Sequence, residues 1–146
     1  MDLIKRWTAM SVLLLAAGCG GGESTELASL SPGPALVAER FLQAANVNDL
    51  GTMTELFGTK DRTIVQLDGR AQAEQRMYLL ASVLRHNDFS VRGQRAVPGR
   101  MTEATELMVE LDQDGRSVVV PFLVVRRSSG GWIIENIDVT PITNRR

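Results

Sequence analysis

Few side chains in this sequence are equipped for chemistry. Among 146 residues there is one cysteine, Cys19, one histidine, His86, and one tyrosine, Tyr78. One cysteine cannot close an intrachain disulfide, and one cysteine with one histidine cannot supply the Cys/His ligand sets of ordinary zinc sites. His86 could act as the base of a Ser/His/Asp arrangement, yet no Gly-x-Ser-x-Gly elbow presents a serine to it. Its position after a helical stripe explains it otherwise, as a last-turn residue suited to the negative end of the helix dipole. Sixteen basic against seventeen acidic residues leave no cationic excess to neutralise phosphates, so a nucleic-acid partner is not expected. Arg145-Arg146 is a tail charge, and Arg126-Arg127 reads as a solvated strand end or, as the alternative, a contact for anionic headgroups.

The sharpest signal surrounds the cysteine. Lys5-Arg6 precedes an apolar run from Trp7 to Ala17, and Ala16-Ala17-Gly18-Cys19 then leads into a glycine tract. Charged, apolar and small residues in that order make an export leader. The segment resembles the cleavage and lipidation box of bacterial lipoproteins, with Ala16 where the box usually has Leu. That resemblance implies cleavage before Cys19, a diacylglycerol on its sulfur and acylation of the new amino terminus. A lipidated Cys19 is unavailable as a nucleophile. Gly20, where Asp would signal inner-membrane retention, implies the outer membrane, on the periplasmic side of the cell envelope. The alternative is an ordinary secretory leader that leaves Cys19 as a free thiol, unusual in an oxidising compartment. A spanning helix needs about 20 apolar residues, and the run is shorter.

Loss of residues 1–18 removes Asp2, Lys5 and Arg6, leaving fourteen basic and sixteen acidic residues. From Cys19 to residue 33 the chain is rich in Gly, Ser, Thr and Pro and cannot bury enough surface to offset its ordering entropy. It is expected to be a flexible tether, its last fourteen residues spanning about 20 Å. Residues 34–143, about 110 in number, are the size of one domain.

Pro34 suits the first turn of a helix, and Val37, Phe41, Ala44 and Ala45 recur behind it at helical spacing to about Ala45. Asp49 can cap a short second helix with Met53, Leu56 and Phe57 inward and Gly58 at its close. After Asp68-Gly69 a third helix carries Ala73, Met77, Leu80, Ala81 and Leu84, widened by Val83 and flanked by Tyr78. So broad an apolar face predicts a helix packed on a sheet. Arg85 and His86 fall in its last turn, and Asn87 suits a left-handed cap. The period then becomes two. Phe89 to Val97, Thr105 to Leu111, Ser117 to Val125 and Trp132 to Val139 read as strands. Asp114-Gly115 marks a tight hairpin. Pro121 predicts a bulge or an unpaired side in the third strand. In the fourth, strict alternation puts Trp132, Ile134, Asn136 and Asp138 on one face and Ile133, Glu135, Ile137 and Val139 on the other.

The expected architecture is α+β, with N-terminal helices on a curved four-stranded antiparallel sheet. The element order, the helix ending Ala44-Ala45-Asn46-Val47-Asn48-Asp49 before a short helix, and the closing Trp132-Ile133-Ile134 resemble the nuclear transport factor two-like cone family over nearly all of Pro34 to Thr143. A cystatin-like sheet wrapped on one helix is the alternative. The resemblance implies a pocket between helices and concave sheet, with Phe41, Met77, Tyr78, Trp132 and Ile134 as lining candidates. Enzymes of that family, ketosteroid isomerases among them, pair an Asp base with a Tyr donor, which here leaves only Asp138 and Tyr78. Tyr78 beside a packing stripe and Asp138 at a strand end suit solvent exposure better than catalysis, and Met77 and Trp132 suit packing better than a ligand wall. No cofactor or metal is implied. Two functions follow: a noncatalytic envelope lipoprotein that binds or scaffolds a protein partner or apolar ligand, or a cone-fold isomerase or hydrolase acting on a hydrophobic small molecule.

Overall fold

The structure, a computed structural model, describes residues 33–144. The leader, Cys19 and the tether up to residue 32 lie outside the described residues. Helices α1 (Pro34–Asn46), α2 (Leu50–Leu56), α3 (Ile64–Asp68) and α4 (Arg70–Leu84) come first, then strands β1 (Asp88–Ala96), β2 (Ala104–Gln113), β3 (Arg116–Arg126) and β4 (Trp132–Ile137), and a last turn of helix α5 (Thr140–Thr143). The strands form one antiparallel meander in the order β1-β2-β3-β4. The α+β expectation therefore holds.

Local chemistry explains most boundaries. Pro34 opens α1 at a position where its missing N–H is not needed, and Gly33 before it has no side chain with which to cap the helix. Asn48 takes the left-handed conformation at φ 53° and ends that helix. Asp49 then caps α2, accepting from the Thr52 backbone N–H at 3.1 Å and the Thr52 hydroxyl at 2.6 Å; Thr52 holds its carboxyl below the usual range through those two bonds, side chain first. Helix α3 is additional to the three helices expected, and Gln66 Oε1 fastens its start by accepting from the Thr63 N–H at 2.9 Å. Asp114 and Gly115 both carry positive φ, making the β2–β3 turn as their types require.

Helix α1 lies on the concave face of the sheet with Val37, Ala38, Phe41, Leu42, Ala44 and Ala45 buried. They meet Leu107, Val109, Leu111, Val120, Phe122, Val124, Ile134 and Ile137 in one cluster. Each such side chain contributes about 1.5–3 kcal/mol on burial. Helix α4 packs chiefly on α1, α2 and α3 rather than on the sheet, which corrects the reading of its broad face: α1 already occupies the concavity. Only Ala73, Met77, Ala81 and Leu84 of α4 are buried, while Leu80 and Val83 stay half-exposed.

Two irregularities bend the sheet. The β1–β2 register skips Arg92, and the β3–β4 register passes from Leu123↔Asn136 to Val124↔Ile134, leaving Glu135 as an extra residue. A bulge flips the alternation beyond it, so Ile134 and Ile137 share the concave face, whereas Ile133 joins Ala104 and Val125 in a smaller cluster on the convex side. The strict alternation expected for β4 fails at that point. Pro121 keeps its place opposite Met108 without a bulge. Its carbonyl accepts from Asp138 N–H at 2.9 Å, and the β4 ladder begins only at Phe122. The missing N–H thus falls on the unpaired side, as one form of the expectation had it.

Candidate functional site

The end of α4 differs from its sequence reading. The helix stops at Leu84, Asn87 does not take positive φ, and His86 lies beyond the last turn, buried. Asn46, at the end of α1, donates through Nδ2 to His86 O at 3.0 Å and to His86 Nε2 at 3.1 Å, while its Oδ1 accepts from the His86 N–H at 3.2 Å. The two backbone bonds fix which way the amide points. Nε2 must therefore accept, and Nδ1 must donate to Leu84 O, 2.8 Å away. The ring stands edge-on to Phe89 at 5.3 Å. Gln113 Nε2 donates to two more carbonyls at this end, Val83 O of α4 at 2.9 Å and Arg85 O just past it at 2.8 Å. Helix ends leave carbonyls without intrahelical partners, and here His86 and Gln113 supply the donors. The only histidine is spent on holding two helix ends together. A groove of about 800 Å³ beside it, bordered by Ser82, Arg85, Asp114 and Arg116, mixes both charge signs around these satisfied groups.

A smaller cleft of about 310 Å³ opens where α4 fails to reach the sheet, between α4 and the end of β4. Phe57 and Met77 line it with Leu79, Leu80 and Val83 of α4, Ile137 of β4 and Val139 after it; Arg76 and Asn136 supply its polar border. Arg76 is ion-paired with Asp68. No carboxylate, hydroxyl or thiol lines the cleft. Such a wall can hold apolar matter by excluding water and offers an amide at one side; the volume lies at the lower limit for ligand pockets.

The residues expected to line a pocket do not converge. Met77 alone borders the cleft; Phe41 and Ile134 are wholly inside the core. Phe41 meets Phe57 with ring centroids 6.0 Å apart. Trp132 is half-buried elsewhere, beside Pro34, Met101 and Thr105, with the Arg126 guanidinium 4.9 Å over its ring. Tyr78 is 56% exposed. Asp138 lies before α5, accepting from the Thr140 N–H at 3.0 Å, and Thr140, through its side chain first and its backbone second, holds that carboxyl below its ordinary range. A base of the buried-carboxylate kind requires the opposite shift. Neither Tyr78 nor Asp138 lines the cleft. The cleft residues Leu79, Leu80, Val83 and Val139 were visible in sequence only as the excess width of one apolar stripe.

Among the described residues no group of three His, Cys, Asp or Glu side chains could hold a metal ion, and no helix is long and apolar enough to cross a membrane.

The class these features define is a helix-on-sheet α+β domain with one apolar cleft at its flank. No family model matches the chain, and no curated protein does. One solved structure resembles it, an NTF2-like protein of unknown function from Cytophaga hutchinsonii, with a TM-score of 0.40 at 10% identity over 74% of this chain and 92% of that one.

Proposed function

We propose that this protein is a membrane-anchored lipoprotein of the bacterial envelope, held through Cys19 at the periplasmic face of the outer membrane, whose domain binds an apolar group without transforming it. The observation that carries the binding reading is the cleft between α4 and β4: apolar walls, an amide at the rim and no nucleophile or carboxylate. The group it receives belongs to a small apolar ligand or to an apolar side chain of a partner. Catalysis by the Tyr78 and Asp138 pair is less favoured, since the one is exposed and the other is kept ionised by Thr140. Anchoring is supported by the residues around Cys19, since two or three acyl chains hold a protein firmly where one holds it marginally.

One pair of substitutions tests both halves. Leu79→Glu with Val83→Glu places two charges on side chains that are not buried, so melting should hardly move. Saturable binding of the neutral dye N-phenylnaphthylamine should be lost; undiminished binding, or none in the parent, overturns the cleft. Palmitate labelling of the parent and of Cys19→Ser tests the anchor, and equal label in both overturns it.

A further inference from the structure

Thr59 to Thr63 form a tight loop after Gly58, closed by Thr59 N–H to Arg62 O at 2.8 Å and Ile64 N–H to Phe57 O at 2.8 Å. It docks on the β3–β4 turn, sixty-odd residues away in sequence. There Ser128 N–H donates to Lys60 O at 3.0 Å and the Ser128 hydroxyl to Asp61 Oδ1 at 2.5 Å. The contact brings Lys60 and Arg62 to Arg126 and Arg127, a clustering invisible in a chain with no cationic excess.

Arg70, Arg76, Arg92, Arg95 and Arg100 each hold a carboxylate. Lys60, Arg62, Arg126 and Arg127 hold none among the described residues. Arg40, Arg85 and Arg116 likewise hold no carboxylate among the described residues, so what sets the four cations at this contact apart is that they come together at one place. Lys60, Arg62 and Arg126 are exposed, Arg126 lying over Trp132. Arg127 Nε is shielded from water without a hydrogen-bond acceptor, the one such side-chain atom among the described residues. Of the acidic groups near this end, Asp61 takes the Ser128 hydroxyl, Glu106 and Glu135 are paired with Arg95 and Arg100, and the Glu103 carbonyl accepts from Arg126 N–H at 2.7 Å. The carboxylates of Asp61, Glu106 and Glu135 are thus engaged elsewhere than on these four cations.

The chain also enters the domain here. Pro34 shares a cavity wall with Trp132 and with Met101, which is 73% exposed. Only the fourteen residues from Gly20 to Gly33 separate Cys19 from it, about 20 Å on their composition.

We infer that this end of the domain is a second membrane contact, with Lys60, Arg62, Arg126 and Arg127 lying on the anionic headgroups of the bilayer that holds the lipid. The inference rests on the anchored reading. Basic side chains close to an anionic surface are attracted within a Debye length of about 8–10 Å. A lipid and a basic patch together make the two-signal arrangement that holds peripheral proteins firmly. The cleft between α4 and β4 is left to its ligand.

The mature lipidated protein, in which loss of residues 1–18 leaves Trp132 as the one tryptophan, is reconstituted into vesicles of phosphatidylcholine with or without phosphatidylglycerol, each with a dansyl-headgroup lipid. Flotation reports anchoring; energy transfer from Trp132 reports docking. Transfer should rise with phosphatidylglycerol and fall back in 0.5 M salt. In Lys60→Glu/Arg62→Glu it should drop to the level of neutral vesicles. The fold uses only backbone groups of those two residues in the loop, so the variant should melt as the parent does. Arg40→Glu/Arg85→Glu, an equal charge change at exposed positions elsewhere, should keep the parent's transfer. Protein that floats yet transfers equally to both vesicle types, or is unmoved by the loop reversal, overturns the inference while the anchor stands. Protein that does not float with neutral vesicles overturns the anchor, and transfer to charged vesicles then judges the patch by itself.

Discussion

The two ends of the domain use polar side chains in opposite ways. At the end away from the tether, where α1 stops and the β2–β3 hairpin turns, the groups serve one another. Asn46 and His86 share three bonds, Gln113 caps α4, and Asn87 Oδ1 accepts from Asp114 N–H at 3.0 Å. At the tether end the loop is built by backbone atoms, the Thr59 and Ser128 hydroxyls and the Asp61 carboxylate, and the cationic side chains are left over. Buried polar groups must be satisfied to avoid a penalty of about 1–3 kcal/mol each. The far end therefore reads as structure. Exposed charges bear no such constraint, and leaving them uncommitted keeps them available to something outside the chain.

The hardest blow to the tether end should come from Gly58→Ala. A Cβ there would sit 2.3 Å from Arg62 O and 2.8 Å from Thr63 Cα, both backbone atoms of the loop. Overpacking against atoms that cannot swing away costs about 3 kcal/mol, the upper part of its usual range. Denaturant melts should show that loss. If the loop is what presents Lys60 and Arg62, headgroup transfer should fall with it. A variant as stable as the parent would mean that the loop gives way freely, and the tether end would then be no built surface.

Asn46→Ala probes the other end and should cost about 2 kcal/mol, because it strands the His86 N–H, carbonyl and Nε2 together. Melting checks it, and headgroup transfer should be unchanged. Should transfer fall with stability, the two ends would not be separable and the contrast between them would collapse.

Which parts could be read from residues alone follows the range of the interactions. Pro34, Asp49 and Asp114-Gly115 act on neighbours within a few positions, so α1, α2 and the β2–β3 turn were legible. Helices α3 and α5, five and four residues long, are too short to show a period. His86 was misplaced because its partner, Asn46, stands forty residues away. The extra residue Glu135 carries no signal of its own, yet it decides that Ile134 and Ile137 share a face. The cleft was half legible: the α4 stripe is wider than one packing contact needs, but only the seating of α1 shows which edge stays open. The union of Lys60 and Arg62 with Arg126 and Arg127 depends on one serine's bonds to a distant loop.

The smallest effect concerns the convex face, which lies between the two ends and shows what committed charge looks like on a surface. Glu110 accepts from Arg92 Nε at 2.6 Å and Arg92 Nη2 at 2.9 Å, and from the Ser117 hydroxyl at 2.8 Å. Arg92 first and Ser117 second bring its carboxyl down to about 2 from an ordinary 4.5. A carboxylate with a lowered folded-state pKa contributes stability that is present above its unfolded value and lost as pH falls through the folded one. The parent should therefore melt slightly above Glu110→Gln at pH 7, and the gap should close between about pH 4.5 and 2. Exposed pairs are screened by solvent and salt, so the gap should be small and should shrink further at high ionic strength. A gap that held constant or widened on acidification would mean that Arg92 and Ser117 do not hold this carboxylate. The contrast between paired arginines on the sheet and uncommitted ones beside the tether would then lose its reference.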